Sequence, residues 1–367
     1  MHYFEKNSLK MNGLYIVYNA GSMYESDNHK GIMHLMEHLI CKRLDDMQDE
    51  FTKRNIEFNA YTDEMQVVVY LTGLKSQLNS DLKIEVLKKM TDGVFVNEDD
   101  FNKEKNIVIQ EYYNFFNDII NGSVSNNLRK KFNNYNVIGE SGDIIDFTFN
   151  DALIVFNTYF KNPSDIIEIG REKTDFSFVI YNNIPLTTKR IKYGCYDNKE
   201  EALPSTETNS TIIVTAKKCV TKKDYPIMRI LNEILSDGLN SPLYQELREK
   251  RGLVYGIFPY NIKCVNDSIF MYIVMTTKEN VEEVINLIEE VLTDLDKFVS
   301  IDRFTDIINS NIIRLEEKSL FRYEHPVSLY KNLPTVFQNK KRLEKLTMDE
   351  VIAVGKKYFN DLDIEIY

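Results

Sequence analysis

Paired cysteines, long apolar runs and a surplus of positive charge are all missing from these 367 residues, and each absence narrows the field. The four cysteines, Cys41, Cys195, Cys219 and Cys264, form no C-x-x-C pair. A chain this long needs no disulfide framework, so they are expected as free thiols in a reducing compartment. No stretch approaches the roughly 20 apolar residues of a transmembrane helix, and no membrane partner is expected. The first ten residues, MHYFEKNSLK, hold no apolar run of the signal-peptide kind, which points to a cytoplasmic protein. The formal net charge of −11 argues against a nucleic-acid partner. Histidine is scarce too: His2, His29, His34, His38 and His325 are the whole supply.

What is present is ordinary in bulk. A 43% hydrophobic content suits a globular protein with real cores, and the length suggests two or three domains. The concentration of chemistry is local. Two of the five histidines fall in His34-Leu35-Met36-Glu37-His38. On a helix, residues four apart project from one face about a turn apart, so both imidazoles can reach one tetrahedral Zn²⁺. Glu37 shares that face and can serve a water at the open position of such a site.

A third ligand is then required. Asn97, followed by Glu98, Asp99 and Asp100, predicts a capped helix start, with the helix running to about Ile120. Glu104 and Glu111 lie seven apart on one face of it. Glu111, flanked by IVIQ and YYNFF, is the first choice, because a carboxylate in apolar surroundings is costly unless paired or metal-bound. Glu104 is the second choice, or a group that orients a ligand.

Elsewhere, 11–20 predicts a strand, Asp27 or Asn28 a cap for the histidine helix, 44–55 a helix and 57–74 a pair of strands. Helices at 78–91 and 149–160 and a strand at 165–170 follow. Residues 186–209, charged and broken by proline, predict a linker between domains at 1–185 and 210–367.

The chain also echoes itself. Thr148-Phe149-Asn150-Asp151 precedes Tyr159-Phe160, and Thr347-Met348-Asp349-Glu350 precedes Tyr358-Phe359, with eleven residues from Thr to Tyr in both. IMHLMEHLI (32–40) is echoed by IMRILNEIL (227–235), where Arg229, Asn232 and Glu233 replace His34, Glu37 and His38. Two copies of one αβ unit are expected, with zinc-binding side chains only in the first. In 239–260, a helix holding Arg248 should end near Gly252, and a strand should carry Tyr255. Both could donate to a carbonyl or oxyanion from that corner. On spacing alone, a solvated arginine and a strand tyrosine are the commoner outcome.

Taken together these segments resemble the insulinase/pitrilysin (inverzincin) family of zinc peptidases, in its small processing-peptidase-like branch, over most of the chain. The segments carrying the likeness are Gly21-Ser22 with Glu25, Gly31, the H-x-x-E-H motif, Asn59-Ala60-Tyr61-Thr62, the Glu104/Glu111 pair and SPLYQELREKRGLVYGI. The resemblance implies an α+β fold of two homologous units, each a mostly antiparallel sheet with helices on one face, forming half of a clam-like chamber. It implies one Zn²⁺ per chain on His34, His38 and Glu111, with Glu37 as general base and Glu104 auxiliary. Asn59 and Ala60 would bind a peptide substrate on an edge strand. Arg248 and Tyr255 would act on a zinc site in the other half of a dimer. A homodimer is expected, with a heterodimer as the alternative. In that alternative the chain would be one subunit of a processing peptidase, for example one removing the leader of a ribosomally made peptide, or a non-catalytic scaffold. Three departures stand out: CKRLDDMQDE replaces an F-x-G-T-like segment, the N-terminus is short for a complete first strand, and no glycine-rich substrate loop is present.

Overall fold

β1 (His2–Lys6) and β2 (Met11–Tyr18) open the computed structural model, which describes residues 1–6, 10–117, 137–184, 211–221, 223–263, 267–321, 336–360 and 363–366. The chain divides into two compact units, Met1–Tyr196 and Asp197–Tyr367. The expected linker, 186–209, lies outside the described residues.

In the first unit, α1 (Ile32–Lys42), β3 (Glu57–Thr62), β4 (Val67–Leu74), α2 (Ser80–Met90), α3 (Glu98–Asn117), α4 (Phe149–Val155) and β5 (Asp165–Gly170) follow β2. The sheet order is β1-β5-β2-β4-β3, antiparallel except for the β1–β5 pair. The short N-terminus therefore does supply an outer strand, because five residues suffice to pair in parallel with β5. Leu14, Ile16 and Tyr18 of β2 and Val67, Val69 and Leu71 of β4 share one apolar cluster with the helices. The alternate residues Tyr15, Val17 and Val68 are buried as well, which is why β2 reads as a continuous apolar run.

Local chemistry sets the helix starts. The Asn97 side-chain oxygen accepts from the Asp100 N–H at 2.9 Å, as its position predicts. Asn79 does the same for Leu82 at the start of α2. The stretch 44–55 is less regular than expected, a short turn at Asp45–Met47 and then a helix at Gln48–Lys53. α4 continues to Phe160 as a wider π-type turn.

The second unit comprises β6 (Thr211–Thr221), α5 (Tyr225–Ser236), β7 (Val254–Lys263), β8 (Asp267–Thr276), α6 (Val281–Thr293), α7 (Ile301–Phe321), α8 (Met348–Phe359) and β9 (Asp363–Ile366). Its order, β7-β8-β6-β9, reproduces β3-β4-β2-β5 strand for strand. The Thr148 and Thr347 echoes are both complete capping boxes, closed by Asp151 and Glu350. Among the described residues no helix is long and apolar enough to cross a membrane.

One buried ion pair ties α2 to β5. Glu168, fully buried, accepts from Lys83 Nζ at 2.9 Å, from the Thr174 hydroxyl and N–H, and faces His2 Nε2 at 3.1 Å. Burial raises the Glu168 pKa, but these partners outweigh it and bring it down to about 2. At Lys83, burial outweighs the pairing and lowers the ammonium pKa. Lys83→Met should cost about 3 kcal/mol at neutral pH, because it strands a buried carboxylate. Glu168 titrates lower in the folded chain than in the unfolded one. Its stabilisation is therefore present above the ordinary carboxylate range and is lost as the pH falls toward about 2. Urea melts at pH 7 and pH 3 should show the wild-type advantage shrinking in acid.

Candidate metal centre

α1 begins on glycine. Gly31 sits at φ +98°, the left-handed region, and a Cβ there would crowd Gly139 and Ile144. Neither Asp27 nor Asn28 caps the helix, as their side chains had suggested. Glu25 does so from eight residues away, its Oε1 accepting from the Met33 N–H at 3.0 Å. Burial pushes the Glu25 carboxyl up to about 8, despite hydrogen bonds from Met33 and Gly31. The helix is thereby held from its first turn, in which His34 lies.

His34 and His38 stand 5.1 Å apart, ring to ring, nearly perpendicular at 80°. Glu111 of α3 faces both, its Oε2 3.4 Å from His34 Nε2 and 3.5 Å from His38 Nε2. Three ligand atoms, one from each residue, lie within 4.8 Å of one another. Tetrahedral zinc with bonds near 2.1 Å requires ligand atoms about 3.4 Å apart, so the two distances to Glu111 match a zinc site. Burial, then the neighbouring His38, lowers the His34 pKa to about 4, which leaves its ring neutral at physiological pH. A neutral imidazole is the form a metal binds.

Glu104 is not part of this cluster. Its Oε2 lies 3.2 Å from His38 Nδ1, and its Oε1 lies 3.5 Å from Lys42 Nζ. An Nδ1–H held by a carboxylate leaves Nε2 as the donor atom toward a metal. The burial argument that favoured Glu111 actually describes Glu104. The Glu104 side chain is 10% exposed, whereas the Glu111 side chain is 43% exposed, because its apolar sequence neighbours spread around α3. Ile107 and Tyr113 themselves face outward.

Glu37 lies on the same face of α1. The Thr62 hydroxyl donates to its Oε2 at 2.5 Å. Burial raises the Glu37 pKa, Thr62 and His38 pull against this, and Glu111 adds to it. In the sequence Thr62 stands in the paired-strand region and closes the Asn59-Ala60-Tyr61-Thr62 segment that carries the family likeness, with no role of its own. Alternation is the further signal for it, putting Phe58, Ala60 and Thr62 on the helix-facing side of β3. β3 is the end strand of its sheet, so Asn59 and Ala60 lie on an edge; there the Asn59 side-chain oxygen accepts from the Ala60 N–H at 2.8 Å.

In the second unit, α5 carries Arg229 and Glu233 where α1 carries His34 and His38. Arg229 donates to Asn311 at 3.2 Å, and Glu233 accepts from Asn311 at 2.5 Å and Arg314 at 3.2 Å. An ion-pair network from α5 and α7 takes the place of the ligand cluster. Arg248 and Tyr255 do meet at their corner, after Gly252. The Arg248 guanidinium donates to the Tyr255 carbonyl at 2.8 Å and lies over the Tyr244 ring at 5.1 Å. A bulge between Val254 and Gly256 turns the Tyr255 side chain outward, 78% exposed.

Comparison with known proteins bears on the family and the fold. Residues 5–141 match the model of the insulinase family (peptidase family M16), and residues 179–311 match the M16 inactive domain. An uncharacterized zinc protease of Rickettsia felis is 20% identical over 95% of this chain and 89% of its own length. The Bacillus subtilis zinc protease YmxG, also uncharacterized, is 22% identical over 75% of this chain and 71% of its own. The crystal structure of a protease from Helicobacter pylori, 18% identical, superposes with a TM-score of 0.81 over 99% of this chain and 95% of that one. With two family domains matched in order, and the ligand cluster inside the first of them, the chain belongs to the insulinase family of peptidases, M16.

Proposed function

We propose that this chain is a zinc-dependent endopeptidase that hydrolyses unstructured peptides. The observation that carries the reading is the convergence of His34, His38 and Glu111 beside a half-buried Glu37 on the same helix face. Zinc bound there supplies acidification of water, toward a pKa of about 7, and polarisation of the scissile carbonyl. Glu37 takes the proton of the attacking water and passes it to the leaving amine. Glu104 holds the His38 ring in the orientation that binds metal. The substrate pairs as an added strand along β3, against Asn59 and Ala60.

Arg248 and Tyr255 donate to the oxyanion from the partner subunit of a homodimer, and the enclosed chamber admits unfolded chains in preference to folded ones. Subunit mixing tests this. Glu37→Gln and Arg248→Ala chains, each inactive alone, should recover about a quarter of wild-type activity when mixed in equal amounts. Half of the dimers are then mixed, and each mixed dimer has one intact site. No recovery from verified mixed dimers would rule out the shared site.

A further inference from the structure

Thr62 reaches Glu37 across 25 residues of sequence, and the segments around it close on themselves. Beyond Thr62 the hairpin turn is stiff, with the Asp63 carboxylate accepting from the Met65 and Gln66 N–H groups at 2.7 and 2.8 Å. That turn is docked on the loop after β2, where the Ser22 N–H donates to the Asp63 carbonyl at 3.2 Å and the Met23 N–H to the Glu64 carbonyl at 2.9 Å. The approach is so close that a Cβ on Gly21 would overlap the backbone of Asp63, Glu64 and Met65. The same loop ends in Glu25, which caps α1 through Met33. The circuit thus runs from Glu37 to Thr62, through the turn to Gly21–Glu25, and back into the first turn of the helix that carries Glu37.

We infer that this circuit is a clamp that fixes the Glu37 carboxylate relative to edge strand β3, with Thr62 as the positioning residue. A hydroxyl has one proton to donate. Given to Oε2, it sets the rotation of the carboxylate and leaves Oε1 as the proton acceptor. The strand that Thr62 ends is the one proposed to pair with substrate, so one rigid segment sets both the peptide register and the direction of the base. The catalytic consequence rests on the peptidase reading; the clamp itself does not.

Thr62→Val removes the hydroxyl at nearly constant shape, and Thr62→Ser keeps it. For Thr62→Val, kcat should fall roughly 10- to 100-fold, the cost of a misdirected group, with zinc content unchanged. Thr62→Ser should restore most of the loss. In the metal-free proteins, amide exchange of segments 31–42 and 57–66 should rise together in Thr62→Val but not in Thr62→Ser. A Thr62→Val enzyme with wild-type kcat, or a Thr62→Ser enzyme as slow as Thr62→Val, would overturn the assignment. If no form cuts any peptide, the peptidase reading fails, and exchange still decides the clamp: a joint rise in Thr62→Val supports it, and unchanged exchange refutes it.

Discussion

Glu37→Gln is expected to keep its zinc and lose hydrolysis, with kcat down by about 10³-fold or more. The substitution preserves shape and leaves His34, His38 and Glu111 untouched, so the metal cluster survives. The Gln oxygen can still accept from Thr62, so the side chain stays in place. What disappears is the ability to take a proton, since a carboxamide does not do so near neutral pH. Removing a general base at constant geometry affects the chemical step and leaves substrate binding alone, so KM should hold while kcat collapses. Metal analysis alongside hydrolysis of unstructured peptides checks both halves. Normal turnover by zinc-loaded Glu37→Gln would remove Glu37 from its role.

His38→Ala should instead lose zinc and activity together. It deletes one of the three ligand atoms and also strips Glu104 of its Nδ1–H partner. Glu104 is buried, and among the described residues it would keep Lys42, at 3.5 Å, which makes the loss of His38 costly. Zinc affinity is expected to drop more than about 100-fold, beyond the usual effect of losing an outer partner alone. Equilibrium competition with a chelating dye measures this without reference to turnover. Wild-type zinc affinity in His38→Ala would place the metal elsewhere.

Helical spacing made the His34, Glu37 and His38 part of the candidate cluster legible, because the three sit on one turn of one element. The same logic put Glu104 and Glu111 on one face of α3. It could not tell which is buried, since that depends on how α3 packs against α1 and not on the residues flanking each glutamate. The repeat was legible because capping boxes are local, and the two Thr echoes became two of them. The true cap of α1 was hidden for the opposite reason: Glu25 acts over eight residues, while a cap read from sequence sits next to its helix. Thr62 was out of reach on the same grounds, its partner lying two elements away. At the Arg248 corner the convergence with Tyr255 was foreseeable, but the bulge that exposes the Tyr255 ring was not. A bulge arises from pairing with β8, which no local pattern encodes.

The measurement that bears most directly on the account is a zinc titration of the metal-free wild-type chain, read as hydrolysis of an unstructured peptide library. Activity should rise linearly and break at one zinc per chain. Activity that is indifferent to zinc, or a fully loaded chain that cuts nothing in the library, would contradict the zinc peptidase reading.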